Sequence, residues 1–164
     1  MDFSPFQLHS ITPKDDASIA AIVRYNLKRF HLDLPGTVYF DPELDHLSAF
    51  YTAHPEQRGY FILTDSNHAV VGGVGYAEFS GFPNCCELQK LYLADAVKGF
   101  GLGKKLMHFV VEQASKAGYR TLYLETHTNL ATAVHIYEKM GFRRIEKPDC
   151  VRHNTMNTFF LMEL

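Results

Sequence analysis

A glycine-rich turn carrying three lysines is the segment whose residue types and spacing most directly predict chemistry. Residues 98–105 read KGFGLGKK and lie between a predicted strand and a strongly amphipathic predicted helix. Glycine at three alternate positions lets the backbone turn tightly with no side chain in the way. The unpaired N–H groups at the start of the helix then point at the turn, and the helix dipole favours an anion there. With the lysines nearby, the segment predicts a site for a phosphate-bearing ligand.

The spacing of this turn excludes two other phosphate-binding motifs. The P-loop of nucleotide hydrolases needs Gly, four residues and then Gly-Lys-Ser/Thr, but Lys98 stands at the first Gly and Lys105 at the Ser/Thr. The dinucleotide fingerprint Gly-x-Gly-x-x-Gly fails because Lys104 stands where the third glycine is required. Neither motif describes this turn.

The pattern that fits is Arg/Gln/Lys-x-x-Gly-x-Gly between a strand and a helix, carried here by Lys98, Gly101 and Gly103. It resembles the turn that binds the acetyl-CoA pyrophosphate in the GNAT superfamily of N-acetyltransferases. The family usually has Arg or Gln at the first position, and Lys98 departs from that pattern while keeping the charge. A plain glycine turn between a strand and a helix is the alternative interpretation of the motif taken alone.

A second segment at the expected distance strengthens the resemblance. Residues 129–142 read NLATAVHIYEKMGF and resemble the GNAT segment N-x-x-A-x-x-x-Y-x-K-x-G-F. The resemblance implies that Asn129 meets the pantetheine arm and that the Tyr137 hydroxyl lies near the coenzyme A sulfur. Tyr137 would then protonate the departing thiolate, a general-acid role that requires hydrogen-bond reach. The alternative for Tyr137 is a half-buried helix aromatic with its hydroxyl in water.

The strand before the glycine turn, ELQKLYL at residues 87–93, resembles the central strand of the same family. The resemblance implies that its backbone pairs with the pantetheine amides, as a peptide adds to a sheet edge. It also implies that the backbone N–H of Leu91 stabilises the oxyanion. The predicted cofactor-binding residues are therefore Leu91, Tyr92, Leu93, Lys98, Gly99, Phe100, Gly101, Leu102, Gly103, Lys104, Asn129 and Tyr137, and acetyl-CoA is the predicted cosubstrate.

Acetyl transfer to an amine also needs a base, because an ammonium is protonated at pH 7 and is not a nucleophile. Glu87 on the central strand is the first candidate, since GNAT enzymes often use a Glu there through an ordered water. Glu78 and Glu125, at the ends of the flanking strands, are competitors, and His127 also titrates in a useful range. The predicted catalytic residues are Tyr137, Glu87 and Leu91.

The acceptor is predicted only as a primary amine of a small molecule or peptide. An acidic cluster in the family's acceptor region suits a cationic amine or polyamine, and a basic patch near the C-terminus suits a carboxylate or the coenzyme phosphates. The acidic residues are Asp33, Asp41, Glu43 and Asp45, and the basic patch holds Arg143, Arg144, Lys147, Arg152 and His153. A non-catalytic acyl-CoA sensor on the same fold is the alternative function, and a homodimer is compatible with the resemblance.

The elements that must position these residues follow the order β-α-α-β-β-β-α-β-α-β-β. Apolar periodicity predicts strands at 6–11, 59–64, 69–79, 87–93, 121–126, 142–146 and 158–164. Helices are predicted from Pro13, over about 44–53 and 101–117, and over 129–141 with Asn129 as the cap. Three glycines within 69–79 indicate a bulge or the close approach of another group. The fold class is α+β, a GNAT-like, mostly antiparallel twisted sheet with helices on both faces.

Composition narrows the class of protein. The chain has 164 residues, 46% apolar and 21% charged, and its net charge is −2, which predicts one domain over residues 1–164. No basic field indicates nucleic acid, and no apolar run is long enough to span a membrane. The start of the chain does not resemble a secretory signal, and three cysteines are too few for a disulfide framework, so a cytoplasmic protein is expected. Neither His-Glu-x-x-His nor Cys-x-x-Cys is present, so no metal site is predicted.

Overall fold

Seven strands form a sheet in the computed structural model, which describes residues 1–151 and 155–164. They are β1 (Gln7–Ser10), β2 (Gly59–Thr64), β3 (Val70–Phe79), β4 (Cys85–Leu93), β5 (Thr121–Thr126), β6 (Arg143–Ile145) and β7 (Thr158–Glu163). Their spatial order is β1-β2-β3-β4-β5-β7-β6, and β4–β5 is the one parallel pair among these strands. The prediction of a mixed, mostly antiparallel sheet is confirmed.

Helices cover both faces of this sheet. The α-helices are α1 (Asp16–Arg29), α2 (Leu47–Thr52), α3 (Leu102–Lys116) and α4 (Ala131–Lys139), with 3₁₀ turns at Val38–Phe40, Pro42–His46 and Asp95–Val97. Side chains alternate across a strand, so neighbours on β2 enter different cores. Tyr60 and Ile62 lie in the core with α1 and α2, whereas Leu63 lies in the core with α3 and α4. The predicted α+β class with helices on both faces is therefore confirmed.

β4 and β5 pair over only three residues and leave an opening in the middle of the sheet. Cys85, Cys86 and Glu87 lie opposite Thr121, Leu122 and Tyr123. Beyond Glu87, β4 continues to Leu93 along β3, while β5 continues to Thr126 along β7. Beyond Glu87, the edge of β4 that faces β5 is therefore open in the middle of the sheet. The candidate site lies around this opening.

A β-bulge interrupts β4 where this opening begins. Gly73 of β3 lies opposite Tyr92 and Gly75 lies opposite Gln89, so one residue of β3 faces both Lys90 and Leu91. Lys90 has φ +52°, a left-handed conformation that is uncommon for a residue with a side chain. A bulge of this kind bends the strand and redirects its backbone groups.

The predicted order of elements is confirmed, and two boundaries are corrected. β4 begins at Cys85, two residues before the predicted start at Glu87, because the cysteines pair with the start of β5. The last helix begins at Ala131 rather than Asn129, and its cap position is Leu130, with no side-chain capping bond. The prediction that Asn129 caps this helix is wrong, because the Asn129 amide bonds to another element.

Candidate active site

The glycine turn leads directly into α3. Gly99 has φ +89° and Gly101 has φ +71°, and Gly101 occupies the cap position of the helix. A Cβ added at either glycine would meet no atom within 4 Å, so the space over the turn is open. The first N–H groups of the helix lack an intrahelical acceptor, and the helix dipole adds positive potential. The turn therefore has the features of an anion site, and its Phe100 side chain is 67% exposed beside it.

Lys98 is engaged with α1 rather than extended over the turn. Its Nζ donates to Asp95 Oδ1 at 2.6 Å and to Asn26 Oδ1 at 2.7 Å. Asp95 also accepts hydrogen bonds from Tyr25 and Arg29. This network ties the start of the glycine turn to α1, and the contact of Lys98 with a phosphate stays a prediction. Lys104, in the first turn of α3, is exposed at the same end of the helix.

Leu91, Tyr92 and Leu93 form the part of β4 beyond the bulge, and all three are partly buried. Tyr92 and Leu93 lie opposite Gly73 and Gly72 of β3, whereas the ladder to β5 has already ended at Glu87. An extended ligand with amide groups can pair with such an edge by the geometry that adds a strand to a sheet. The pantetheine contacts predicted for these residues stay predictions.

Glu87 lies on β4 at the closed end of the opening and is held by a chain of hydrogen bonds. The Gln89 Nε2 donates to Glu87 Oε2 at 2.8 Å, and the Tyr51 hydroxyl of α2 donates to Gln89 Oε1 at 2.7 Å. Because side chains alternate along a strand, Glu87 and Gln89 lie on the same face. The chain fixes the orientation of the carboxylate and leaves its other oxygen, Oε1, outside this bond.

The environment of Glu87 makes its side chain a weaker acid than a glutamate in water. Burial is the largest cause that raises the pKa of Glu87, and with the nearby charges of Glu125 and Asp41 it brings that pKa to about 7. The hydrogen bond from Gln89 and the charge of Lys90 act in the opposite direction. A carboxylate with a pKa near the working pH is suited to accept and release protons.

The competing bases are placed less favourably. The Glu78 carboxylate binds the Arg58 guanidinium, with Nε to Oε2 at 2.7 Å, and this bond lowers the pKa of Glu78. Glu125 accepts from the Tyr123 hydroxyl at 3.2 Å and lies close enough to Glu87 to affect its charge. His127 Nδ1 accepts from the backbone N–H of Asn129 at 3.1 Å. The raised pKa of Glu87 and the lowered pKa of Glu78 favour Glu87 over Glu78 as the base.

Tyr137 lies in the last turn of α4 and is 7% exposed. Its ring contacts those of Phe142 and Phe160, with both centroid distances at 5.9 Å. Burial raises the pKa of the Tyr137 hydroxyl to about 12, so this hydroxyl stays protonated at physiological pH. Burial also raises the pKa of Tyr92, and the charge of Tyr137 contributes to that shift. Tyr137 is therefore a buried, protonated hydroxyl group, and its approach to the coenzyme A sulfur stays a prediction.

Asn129 connects the start of α4 to the end of α1. Its Nδ2 donates to the backbone carbonyl oxygen of Phe30 at 3.0 Å, at the C-terminal end of α1. Thr155 makes a similar contact, its hydroxyl donating to the carbonyl oxygen of Pro35 at 2.9 Å. These bonds join the loop after α1 to the far side of the sheet opening. The predicted contact of Asn129 with pantetheine stays a prediction.

Neither of the two charged clusters predicted to bind the acceptor forms a single group in the structure. Asp41 faces the site, with its Oδ2 3.6 Å from Lys90 Nζ, but Asp45 pairs with Arg24 at 2.6 Å on the outer side of α1. In the basic patch, Arg143 is exposed, and Arg144 pairs with Glu138 at 2.8 Å. Arg152 and His153 lie outside the described residues. Of the acidic cluster, Asp41 is thus within electrostatic reach of Glu87.

Sequence reasoning missed the polar residues that support the site. Tyr51 and Tyr60 belong to no recognised motif, and they bond to residues of β4 that are 38 and 30 positions away. Gln89 and Lys90 lie within the segment ELQKLYL, but the resemblance assigns them no role. The alternation of Glu87 and Gln89 was a usable signal for a shared face. The glycines at 73 and 75 correctly predicted a close approach, without indicating which group approaches.

Comparison with known proteins identifies the family. The sequence pattern of the Acetyltransferase (GNAT) family matches residues 24–142. The chain belongs to this family. The uncharacterized N-acetyltransferase YjgM of Escherichia coli K12 is 34% identical over 161 residues, which cover 96% of this chain and 94% of that protein. This GNAT protein is therefore an acetyl-CoA-dependent acyltransferase, and its resemblance to the family is confirmed.

A more distant relative and a solved structure extend the comparison. The L-methionine sulfoximine/L-methionine sulfone acetyltransferase of Salmonella typhimurium is 27% identical, over 78% of this chain and 76% of its own. The structure of yncA, a putative acetyltransferase from Salmonella typhimurium with its cofactor acetyl-CoA, superimposes with a TM-score of 0.73 at 21% identity. That superposition covers 98% of this chain and 94% of the yncA chain. The likeness to the yncA structure shows that the two chains share a fold.

Over residues 1–151 and 155–164, no group of three or more His, Cys, Asp or Glu residues is arranged to hold a metal ion. No helix in the same residues has the length and apolar character to cross a bilayer.

Proposed function

We propose that this GNAT protein transfers an acetyl group from acetyl-CoA directly to a primary amine of a small molecule or peptide. The observation that carries this proposal is Glu87, a partly buried carboxylate on the central strand with a pKa of about 7. It lies where β4 and β5 diverge, three residues from the bulge. A non-catalytic binding module has no need for a carboxylate oriented and tuned in this way.

Each proposed step uses a residue of this chain. Glu87 takes a proton from the acceptor ammonium through a water, which frees the nitrogen lone pair. The new C–N bond then forms at the thioester carbon, and the backbone N–H of Leu91 stabilises the negative oxygen. When the C–S bond breaks, the electron pair leaves on sulfur and Tyr137 donates its proton there. The second proton that the nitrogen loses as the amide forms passes through water to the Tyr137 oxygen, and the proton on Glu87 returns to solvent. Burial raises the pKa values of Cys85 and Cys86, so neither thiol supplies a nucleophile for a covalent route.

The charges around Glu87 support a cationic acceptor. Asp41 and Glu125 both lie within electrostatic reach of Glu87, with Lys90 as the cation that offsets them. An ammonium entering this region is attracted before it loses its proton. The similarity to an enzyme named for methionine sulfoximine and methionine sulfone makes amino acids the first acceptors to test.

The test of this proposal is the release of free thiol from acetyl-CoA across a panel of amines. Amino acids, polyamines, aminoglycosides and peptide N-termini are incubated with the protein at pH 8, and acetyl-CoA binding is measured separately by calorimetry. Turnover with one class of amine supports the proposal and names the acceptor. Tight acetyl-CoA binding with no turnover on any amine favours the sensor, and no acetyl-CoA binding overturns the assignment of the glycine turn.

Replacing Gly101 with alanine is expected to weaken acetyl-CoA binding about tenfold, or about 1.4 kcal/mol. At φ +71° an alanine costs about 1–2 kcal/mol, and relaxation of that strain turns the helix N–H groups away from the phosphates. The measurement is the calorimetric Kd of acetyl-CoA.

Gly118→Ala is the matched control. Gly118 has φ +91°, follows α3 at its opposite end and likewise has no atom within 4 Å of an added Cβ. The Gly118→Ala substitution causes a similar backbone strain, but Gly118 has no predicted contact with the ligand. The Kd of acetyl-CoA is therefore expected to stay at its wild-type value. Equal weakening in the two variants would attribute the effect to loss of stability and contradict a phosphate site at Gly101.

A further inference from the structure

Tyr60 of β2 lies across β3 and reaches β4. It is 1% exposed, and its ring covers the two glycines of β3 that share its face of the sheet. A Cβ added at Gly73 would come within 2.6 Å of Tyr60 Cε1, and one added at Gly75 within 2.5 Å of Cδ2. Since real Cβ contacts are never so short, the ring requires glycine at both positions. The two glycines form a slot that holds the tyrosine flat against the strand.

The hydroxyl at the end of this ring contacts the bulge. The Tyr60 O–H donates to the backbone carbonyl oxygen of Lys90 at 2.8 Å. Lys90 shares its opposite residue on β3 with Leu91, and its φ of +52° is one that a residue with a side chain rarely adopts. An uncommon backbone conformation persists only where its surroundings specify it. Tyr60 supplies a specific contact to the carbonyl group of that residue.

The geometry of the peptide bond connects this contact to the reaction. The carbonyl of Lys90 and the N–H of Leu91 belong to one planar trans peptide unit, so they point in opposite directions. A hydrogen bond that fixes the Lys90 carbonyl toward Tyr60 therefore fixes the Leu91 N–H away from it. The orientation of the N–H is set without any contact to Leu91 itself.

We propose that Tyr60 is a positioning residue for acetyl transfer, whose hydroxyl holds the Lys90–Leu91 peptide so that the Leu91 N–H is aimed at the thioester oxygen. This inference rests on the proposed function, in which Leu91 stabilises the oxyanion. Tyr60 touches neither substrate in this role. The slot formed by Gly73 and Gly75 gives the Tyr60 ring the space to reach the bulge.

The test is Tyr60→Phe, which keeps the ring in its slot and removes one hydrogen bond. Loss of an oxyanion donor lowers kcat by about 10²- to 10³-fold, and a donor that is misaimed rather than removed is expected to lower kcat by about 10- to 100-fold. The KM for acetyl-CoA stays unchanged, because the interaction is made in the transition state.

Tyr119→Phe is the matched control for this variant. The Tyr119 hydroxyl also donates to a backbone carbonyl oxygen at 2.8 Å, that of Gln57, outside the site. The Tyr119→Phe variant loses the same kind of hydrogen bond as Tyr60→Phe, and it is expected to retain the wild-type kcat. A fall in kcat of the same size in both variants would assign the effect of Tyr60 to general destabilisation and overturn the inference.

An NMR measurement separates the inference from the proposed function. Protein labelled with [¹⁵N]leucine is compared with acetyl-CoA and with coenzyme A bound, and the Leu91 amide is assigned from its absence in Leu91→Met. A shift specific to acetyl-CoA in the wild type that is lost in Tyr60→Phe supports the inference. The same shift in both proteins overturns the role of Tyr60 and leaves Leu91 as the donor. No shift in the wild type overturns the role of Leu91, and with it that of Tyr60.

Discussion

Glu87→Gln is expected to lower kcat/KM for the amine acceptor by about 10²- to 10³-fold at pH 7.5, within the range for loss of a general base. Glutamine keeps the size of the side chain and can still bond to Gln89, but it cannot accept a proton. The acceptor ammonium then has no base in reach and reacts only through its small neutral fraction. Initial rates of thiol release with the amine identified from the panel measure the effect, and the calorimetric Kd of acetyl-CoA stays unchanged.

The pH dependence of the same variant identifies the base. The pKa of Glu87 is about 7, so wild-type kcat rises tenfold per pH unit below about 7 as the carboxylate forms and levels above it. In Glu87→Gln this inflection is absent, and the rate instead rises with pH up to the pKa of the amine, because only the neutral amine reacts. An inflection near pH 7 that survives in the variant would assign the base to another group.

Glu78→Gln is the matched control, since it makes the same change in a carboxylate bound to Arg58. Its kcat and pH profile are expected to match those of the wild type. A large fall in kcat in Glu78→Gln with little change in Glu87→Gln would reverse the assignment of the two residues.

The stability of Glu87→Gln provides a readout that needs no acceptor. Folding raises the pKa of Glu87 from 4.5 to about 7, so the folded protein holds this proton more tightly than the unfolded chain does. The stability due to this group is complete below pH 4.5 and is lost as the pH rises through about 7. Glu87→Gln is therefore expected to be more stable than the wild type by about 3 kcal/mol at pH 8 and equal to it near pH 4. Urea unfolding at the two pH values measures the difference.

The sequence predicts those features of the site that depend on one continuous segment of the chain. The glycine turn and the order of elements depend on spacing within one segment, and both stand where they are predicted. The hydrogen-bond partners of the side chains cannot be predicted from such spacing. Lys98 bonds to Asn26, 72 residues away, and Asn129 bonds to the carbonyl of Phe30, 99 residues away. Such contacts arise only when the sheet brings α1 next to the strand ends.

The bulge on β4 shows the same division between local pattern and tertiary contact. Lysine is not favoured at positive φ, so nothing in ELQKLYL predicts that Lys90 adopts φ +52°. What does carry information is the pair of glycines on the neighbouring strand, which predicts a close approach. Identifying Tyr60 as the approaching group, and Lys90 as its acceptor, requires the register of three strands. The residues around the reacting atoms can thus be predicted from motifs, while those that orient them cannot.

Tyr137→Phe is expected to lower kcat by about 10²-fold, the lower end of the range for a general acid. A thiolate is a good leaving group with a pKa near 8.5, so protonation contributes less than it would for an alkoxide. Burial holds the pKa of Tyr137 near 12, which keeps the hydroxyl protonated across the assay range, so the wild-type rate shows no decline due to this group below about pH 11. The rate of thiol release at saturating amine and acetyl-CoA measures the loss.

Tyr76→Phe distinguishes loss of the acid from loss of a buried hydroxyl. Tyr76 lies in the same core as Tyr137, is similarly buried and packs against the ring of Tyr119. Its removal is expected to leave kcat unchanged. If Tyr137→Phe also retains the wild-type kcat, the proton reaches the thiolate from water, and Tyr137 serves to pack α4 against Phe142 and Phe160. Because the ring contacts survive in Tyr137→Phe, a fall in kcat without a fall in stability can only come from the missing proton donor.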